Sequence, residues 1–139
     1  MRPIEIDTET TSFLKSQRNL VLGTTRRDGS PQASPVWYLW TGSAFVISTI
    51  SATAKWWNLK RDPRASICVD DPESGRMVVA YGVAMLEEDD IWDRTRELVA
   101  RYYPDQPEQV APHMERIFEG QKRVLITVEP DNVITRRPN

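Results

Sequence analysis

The sequence predicts a mainly β fold, a small closed or partly closed β-barrel with flanking helices. Three observations carry this prediction: short apolar runs that alternate with polar residues, glycine-containing turns between successive runs, and helical patterns outside the runs. The runs give about six strands. They occupy residues 20–25, 36–40, 45–49, 66–69, 77–86 and 124–128. Closing such strands into a barrel removes the exposed edges of an open sheet.

The first three predicted strands form a meander. Asp28-Gly29 separates the first strand from the second, and Thr41-Gly42-Ser43 separates the second from the third. Glycine supplies the positive φ angles that tight hairpin turns require. The sequence has neither internal repeats nor a low-complexity segment, so residues 1–139 are expected to form a single domain.

The clearest helical pattern covers residues 89–103, which begin with two aspartates and are followed by Pro104. Its apolar face consists of Ile91, Leu98, Val99 and Tyr102. A second helix is predicted over residues 112–119, ended by Gly120. A third, short helix is expected to begin near Ala54.

Composition narrows the function classes. The 139 residues are 40% hydrophobic, enough for one core, and their formal charge of −2 argues against a general nucleic-acid binder. The N-terminus lacks a continuous apolar segment, and no later run is long enough to span a bilayer. The one cysteine, Cys68, lies between Ile67 and Val69 and is expected to be buried in a strand. These features favour a soluble cytoplasmic protein without nucleic-acid or membrane partners.

Lys55 is a cation in the first turn of a predicted helix, where an acidic residue is usual. The stretch ISTISATAKWWNLKRDP over residues 47–63 reads as a strand, a turn and a short helix, with Lys55 in the first helical turn. A helix N-terminus already carries partial positive charge, so a carboxylate would be the stabilising choice there. Ser48 and Thr49 end the preceding strand, and the free amides near Ala54 begin the helix. Hydroxyls, amides and an ammonium group converging in this way are typical of a phosphate site.

A simpler interpretation is that Thr53 caps the helix and Lys55 faces solvent.

The sequence lacks the other common patterns of catalytic, metal-binding and nucleotide-binding residues. The single histidine, His113, has no partner at metal-ligand spacing and is expected to be a solvated helix residue. No serine lies in a nucleophile-elbow pattern, and the glycines are too scattered for a dinucleotide fingerprint or a P-loop. The sequence therefore predicts no metal site and identifies no catalytic side chain.

A set of motifs, in order along the chain, resembles one known family. They are LGTTRRDGSPQASPVWY over residues 22–38, Ser48-Thr49, Ala54-Lys55, and NLKRDPR over residues 58–64. The chain is similar to the pyridoxamine 5'-phosphate oxidase-like split β-barrel flavoproteins. More narrowly, it resembles their actinobacterial branch, which uses the deazaflavin coenzyme F420. The resemblance covers roughly residues 10–90 well and the last strand loosely.

The resemblance implies a phosphate site for the cofactor. Ser48, Thr49 and Lys55 would hold the phosphate, with the backbone amide of Ala54 helping. This expectation accounts for the cation in the first helical turn.

The resemblance also implies where the cofactor ring lies. Pro35, Val36 and Trp37 match the strand that runs along the ring, although alternate residues there also fit an ordinary barrel strand. In the family the ring lies at a dimer interface, so Met77 and Val78 of the partner chain would complete the site.

The predicted function is that of an oxidoreductase that transfers a hydride between F420 and a small organic substrate at a dimer-interface site. The cofactor supplies the chemistry, and the protein supplies binding and orientation. The alternatives are an FMN-dependent oxidoreductase of the same fold and a non-catalytic carrier of a flavin or tetrapyrrole. The true pyridoxamine phosphate oxidases carry an arginine-containing motif beyond the last strand. This chain ends in TRRPN, so oxidation of pyridoxamine phosphate is not expected.

Three surface features refine the prediction. Residues 77–86 are apolar on both alternating faces, and a small barrel can bury only one, so a homodimer is expected. Two basic pairs, Arg26-Arg27 and Lys60-Arg61, are candidates for lining the exit of the acidic F420 tail. They also fit ordinary solubilising charges. Trp57 is expected either to line a pocket or to contact another subunit.

Overall fold

The computed structural model describes residues 4–138, and within them the chain forms seven strands, four α-helices and one 3-10 turn. The strands are β1 (Leu20–Thr25), β2 (Pro31–Val36), β3 (Leu39–Trp40), β4 (Phe45–Ile50), β5 (Arg64–Asp71), β6 (Arg76–Glu87) and β7 (Arg123–Arg136). The helices are α1 (Thr8–Ser16), α2 (Ala54–Arg61), α3 (Trp92–Ala100) and α4 (Val110–Phe118), and the 3-10 turn is Pro107–Gln109.

All seven strands belong to one antiparallel sheet with the order β2-β1-β5-β6-β7-β4-β3. The two strands at the ends of this order, β2 and β3, are successive segments of chain separated only by Trp37 and Tyr38. The sheet therefore curls so that its two ends meet at this bend. The predicted mainly β split barrel is confirmed, with seven strands in place of about six.

The predicted strand over residues 36–40 is wrong in its boundaries. Residues 31–36 pair with β1, whereas residues 39–40 pair with β4, and the backbone turns between them. Pro31 and Pro35 make the strand over residues 31–36 hard to recognise in the sequence, because proline has no backbone N–H to donate to a neighbouring strand. They are tolerated here because β2 lies at the end of the sheet order. The predicted meander of the first three strands is thus interrupted at Trp37 and Tyr38, where the backbone turns.

The helices differ from expectation in three places. Helix α1 was not predicted; the Asp7 side chain accepts a hydrogen bond from the Thr10 amide at 2.7 Å and caps it. Helix α3 begins later than predicted because Asp90 has a φ of 54°, a left-handed conformation that a helix excludes, and it ends earlier, at Ala100. Helix α4 begins two residues earlier than predicted, and Gly120 follows it with a φ of 79°.

The core fills the barrel interior with inward-facing strand residues and is closed by helices. Helix α1 contributes Phe13 and Leu14, and α2 contributes Trp56 and Leu59. The strand residues of this core include Leu20, Leu22, Phe45, Ile47, Ile67, Val69, Val78, Ala80, Val124, Ile126 and Val128. None of the helices among residues 4–138 combines the length and apolar character needed to cross a membrane.

Cys68 does not lie in the core, contrary to expectation. Its neighbours Ile67 and Val69 are buried, and strand alternation therefore places Cys68 on the outer face, where it is half-buried. Burial, followed by the charge of Asp70, raises the pKa of its thiol.

Candidate functional site

The bend between β2 and β3 is fixed by residues at the end of α3. The Tyr102 hydroxyl accepts a hydrogen bond from the Tyr38 amide at 2.8 Å, and the Arg101 guanidinium donates to the Tyr38 carbonyl at 3.1 Å. The Trp37 ring stacks on Tyr102 with centroids 4.0 Å apart and planes 7° from parallel. These contacts hold Trp37 against the helices rather than in a regular strand.

Trp37 borders a cavity of about 300 Å³, close to the lower end of the volumes that hold small-molecule ligands. Its walls come from the bend, β4, the first turn of α2, helices α3 and α4, and the start of β7. The lining residues are Val36, Trp37, Ser48, Thr49, Ile50, Lys55, Leu98, Val99, His113, Ile117 and Arg123. Five of the predicted site residues are thus brought together, and six further residues complete the wall.

Lys55 is half-buried in this wall, and among residues 4–138 it has no hydrogen-bond or salt-bridge partner. Burial lowers the pKa of its ammonium group because removal from water penalises the charged form. The first turn of α2 contains no acidic residue.

The interpretation of Thr53 as a side-chain cap of α2 is wrong. Thr53 occupies the N-cap position, but its hydroxyl donates to the Ile50 carbonyl at 3.0 Å and lies 3.3 Å from the Thr49 hydroxyl. It accepts no hydrogen bond from the helical amides. The amides of the first turn are therefore left for another acceptor.

Arg123 is the main lining residue that the sequence did not reveal. Its Nε donates to the Ile117 carbonyl at 3.2 Å, and its guanidinium lies 3.5 Å from the Ser48 hydroxyl. Burial lowers the pKa of this group as well. Arg123 pairs with Ile50 across β4 and β7, and this register brings it beside Ser48.

The prediction that His113 is a solvated helix residue is also wrong. It is half-buried on the cavity wall, with Nδ1 2.9 Å from the Tyr103 hydroxyl and 3.3 Å from the Arg116 guanidinium. Burial lowers its pKa, and the charges of Arg116 and Arg123 lower it further.

The cavity is electrostatically unbalanced. Lys55 and Arg123 both line it, whereas no aspartate or glutamate among the described residues 4–138 does. Half-buried cations without a counter-charge are unfavourable, and an anion placed between them would offset that cost. The rest of the wall is largely apolar, with Val36, Leu98 and Ile117. The cavity is therefore suited to a ligand with an anionic group and an apolar body.

Four predicted site residues do not line this cavity. Pro35 is exposed on β2, and Ala54 is exposed at the start of α2, where only its backbone amide is available to a ligand. Met77 and Val78 instead border a small separate cavity with Phe13 and Arg76. The side chain of Val78 is buried in the barrel core, and that of Met77 is half-buried.

Comparison with known families identifies the architecture. The family model described as pyridoxamine 5'-phosphate oxidase matches residues 6–136. The chain belongs to this family. The match extends through β7, beyond the motifs near the N-terminal half that first suggested it.

Solved structures of other proteins share the fold. The conserved hypothetical protein Rv2991 from Mycobacterium tuberculosis has a TM-score of 0.80 and 23% identity, covering 97% of this chain and 86% of its own. A protein named F420 reductase has a TM-score of 0.72 and 24% identity, covering 93% of this chain and 98% of its own. The heme storage protein HutZ from Vibrio cholerae has a TM-score of 0.69 and 17% identity, with 94% coverage of both chains.

Proposed function

We propose that this protein is an oxidoreductase that transfers a hydride between coenzyme F420 and a small organic substrate. The observation that carries the proposal is the cavity with two half-buried cations, Lys55 and Arg123, and no carboxylate in its wall. A phosphate on a flavin-like cofactor supplies the missing anion. When bound, the deazaflavin supplies the hydride chemistry.

In this proposal the phosphate lies between α2 and β7. Lys55 and Arg123 offer charge-assisted hydrogen bonds, Ser48 and Thr49 offer hydroxyls, and Ala54 offers its backbone amide. Thr53 leaves that amide uncapped. The arrangement therefore fits the phosphate of either F420 or FMN.

The ring of the cofactor is placed along Pro35, Val36 and Trp37, at the bend that Tyr102 holds. A cavity of about 300 Å³ is small for a whole flavin or deazaflavin nucleotide, so a second wall is required. Met77 of a second chain would provide it, together with the backbone of Val78, whose side chain is buried in its own barrel core. The substrate would then lie against the exposed side of the ring.

The preference for F420 over FMN rests on a basic surface formed by the last turn of α2 and the β1–β2 hairpin. F420 continues beyond its phosphate into a lactyl-oligoglutamate tail, whereas FMN ends there. Arg61 donates to the Thr25 carbonyl at 3.1 Å, which holds the β1–β2 hairpin with Arg26 and Arg27 next to the end of α2. Lys60 lies on the same helix, 5.3 Å from the exposed Trp57 ring. In the proposal the acidic tail of F420 lies against four cations, which are Arg26, Arg27, Lys60 and Arg61.

The cofactor preference is tested by titration. Protein from a host without the deazaflavin is expected to be colourless and to bind added F420 more tightly than FMN. Added salt should weaken F420 binding more, since it screens contacts with the tail. The triple variant R26Q/R27Q/K60Q should lose F420 affinity and keep FMN affinity; Arg61 is retained because it also bonds Asn58 at 2.8 Å.

The matched control neutralises three exposed basic residues elsewhere, in the variant K15Q/R94Q/R96Q, and should bind both cofactors as the parent does. Stoichiometric FMN in the purified protein, or tighter binding of FMN, would replace F420 by FMN in the proposal.

A steady-state assay with reduced F420 and quinone or nitro acceptors separates an enzyme from a carrier. Tight binding without turnover would favour the carrier.

A further inference from the structure

His113 is the single histidine in the sequence and lies on the wall of the cavity, beside the two cations. It belongs to α4, while Lys55 comes from α2 and Arg123 from β7. Its ring is also stacked near Trp37, with centroids 5.6 Å apart. Three separate elements therefore bring three nitrogen-bearing side chains to one cavity.

The contacts of Nδ1 determine the tautomer of the neutral ring. Nδ1 lies 3.3 Å from the Arg116 guanidinium, which can only donate, and 2.9 Å from the Tyr103 hydroxyl. Nδ1 must therefore accept, and the proton of the neutral ring resides on Nε2. Among residues 4–138, no group hydrogen-bonds with Nε2. The ring thus has one free N–H donor.

The groups around His113 are all neutral or positive. Tyr103 contacts it from the segment after α3, Arg116 from its own helix, and Arg123 from β7, while Lys55 shares the cavity wall from α2. No carboxylate lines the cavity. The ligand-free site therefore opposes a positive charge on the ring, and an anion in the cavity would reverse that effect.

We propose that His113 is a third ligand of the cofactor phosphate, donating from Nε2, and that it takes up a proton from solvent when the phosphate binds. The proton enters at Nδ1, which then donates to the Tyr103 hydroxyl, and the Arg116 guanidinium turns away. This inference rests on the proposed function only in that it places a phosphate between Lys55 and Arg123. It adds a pH dependence that Lys55 and Arg123 cannot give.

Because the chain has one histidine, nuclear magnetic resonance of the His113 Cε1–H reports its pKa without ambiguity in protein freed of any tag. The resonance is followed from about pH 5 to about pH 8, the range in which histidine titrates. The samples are ligand-free protein and protein saturated with F420, FMN, riboflavin or inorganic phosphate. F420, FMN and phosphate should each raise the pKa, with proton binding roughly tenfold tighter. Riboflavin, which lacks phosphate, should leave it unchanged.

Affinities of the variant His113→Gln give the second readout. Glutamine retains a polar side chain but cannot take up a proton. F420 affinity should fall roughly tenfold at about pH 6 and much less at about pH 8. Riboflavin affinity should stay at the parental value at both pH values. The parental measurements by magnetic resonance do not depend on how well the variant folds.

The outcomes separate this inference from the proposed function. If F420 and FMN bind but leave the His113 pKa unchanged, His113 is not a phosphate ligand, and the proposed function stands. If neither cofactor binds while inorganic phosphate raises the pKa, the proposed function fails and the phosphate role of His113 stands. If no phosphate-bearing probe binds, both are overturned.

Discussion

At the scale of single residues, the candidate site contains some side chains that local sequence predicts and others that it does not. Ser48, Thr49 and Lys55 lie within one short strand-turn-helix segment, so their convergence could be predicted from spacing. Arg123 lies far along the chain and reaches Ser48 only through the register of β4 and β7. Sequence alternation predicts strands but not which strands pair, and this residue therefore could not be predicted.

The first prediction concerns Lys55→Ala. Removing the ammonium group should weaken binding of F420 or FMN by roughly ten- to a hundredfold, since charge-assisted hydrogen bonds contribute about 1.5–3 kcal/mol. The ligand-free protein should melt no lower than the parent because the Lys55 ammonium has no partner within residues 4–138 and its charge is partly desolvated. Calorimetric titration and thermal melting measure the two effects.

Lys122→Ala is the matched control for this loss of charge. Lys122 is exposed, pairs with Glu88 at 2.9 Å, and does not line the cavity. Its removal should leave cofactor affinity at the parental value. Equal affinities of the Lys55→Ala variant and the parent would return Lys55 to the role of a solvent-facing side chain.

The second prediction follows from the lowered pKa of His113 in the ligand-free protein. The unfolded chain holds a proton on this ring more tightly than the folded chain does, so protonation favours unfolding. Stability should therefore be full above about pH 6.5, the ordinary histidine value, and should fall as pH drops through the lowered folded pKa. Urea unfolding at several pH values measures this, and His113→Gln should remove that part of the dependence.

At the scale of elements, the barrel strands were predictable from alternation, whereas α1 and the bend at Trp37-Tyr38 were not. Helix α1 has the cap Asp7, but its short apolar set of Phe13 and Leu14 gives little periodicity. The bend is specified by a distant element, since Arg101 donates to the Tyr38 carbonyl and also to the Gln17 carbonyl beyond the end of α1. Contacts over this separation leave no local pattern in the sequence.

The third prediction tests that bend through Tyr102→Phe. The lost hydroxyl accepts from the Tyr38 amide at 2.8 Å and from Arg101 at 2.6 Å, and it donates to the Arg18 carbonyl at 2.7 Å. Leaving the Tyr38 amide without an acceptor should lower the free energy of unfolding by about 1–3 kcal/mol. Cofactor affinity should fall too, because the backbone beside Trp37 loses its anchor, although the Phe ring can still stack on Trp37.

Tyr103→Phe serves as the comparison. In the described part of the chain its hydroxyl hydrogen-bonds only with Nδ1 of His113, which retains Arg116 as a second partner. Urea unfolding should show a smaller loss for this variant than for Tyr102→Phe. Similar losses in the two variants would mean that the hydroxyl of Tyr102 does not fix the bend.

At the scale of the whole molecule, the outer face of the sheet carries an apolar surface that the chain leaves uncovered. One row crosses four adjacent strands through Val21, Cys68, Val79 and Ile134 in direct register. Further along β6, Val83 is 53% exposed and Met85 is 62% exposed. The alternation of β6 predicted such a face, with Val78, Ala80 and Ala84 turned into the barrel. Exposed apolar surfaces of this kind mark contacts with another chain.

The last prediction is that this outer surface joins two copies of the chain and that cofactor binding requires the pair. The parent should sediment at micromolar concentration with twice the 16.0 kDa mass of one chain. The variant I134E/M85E places two carboxylates on the surface, where burial in an interface would be costly, and should sediment as a monomer with a native fold. Trp92→Glu changes a side chain on α3 that is 46% exposed and lies away from this surface, and this variant should remain dimeric. Because Met77 and the backbone of Val78 would reach the ring from the second chain, the monomeric variant should also lose affinity for riboflavin, which lacks the phosphate. A parent that sediments as a monomer, or a monomeric variant that binds riboflavin as tightly as the parent, would remove the second chain from the site.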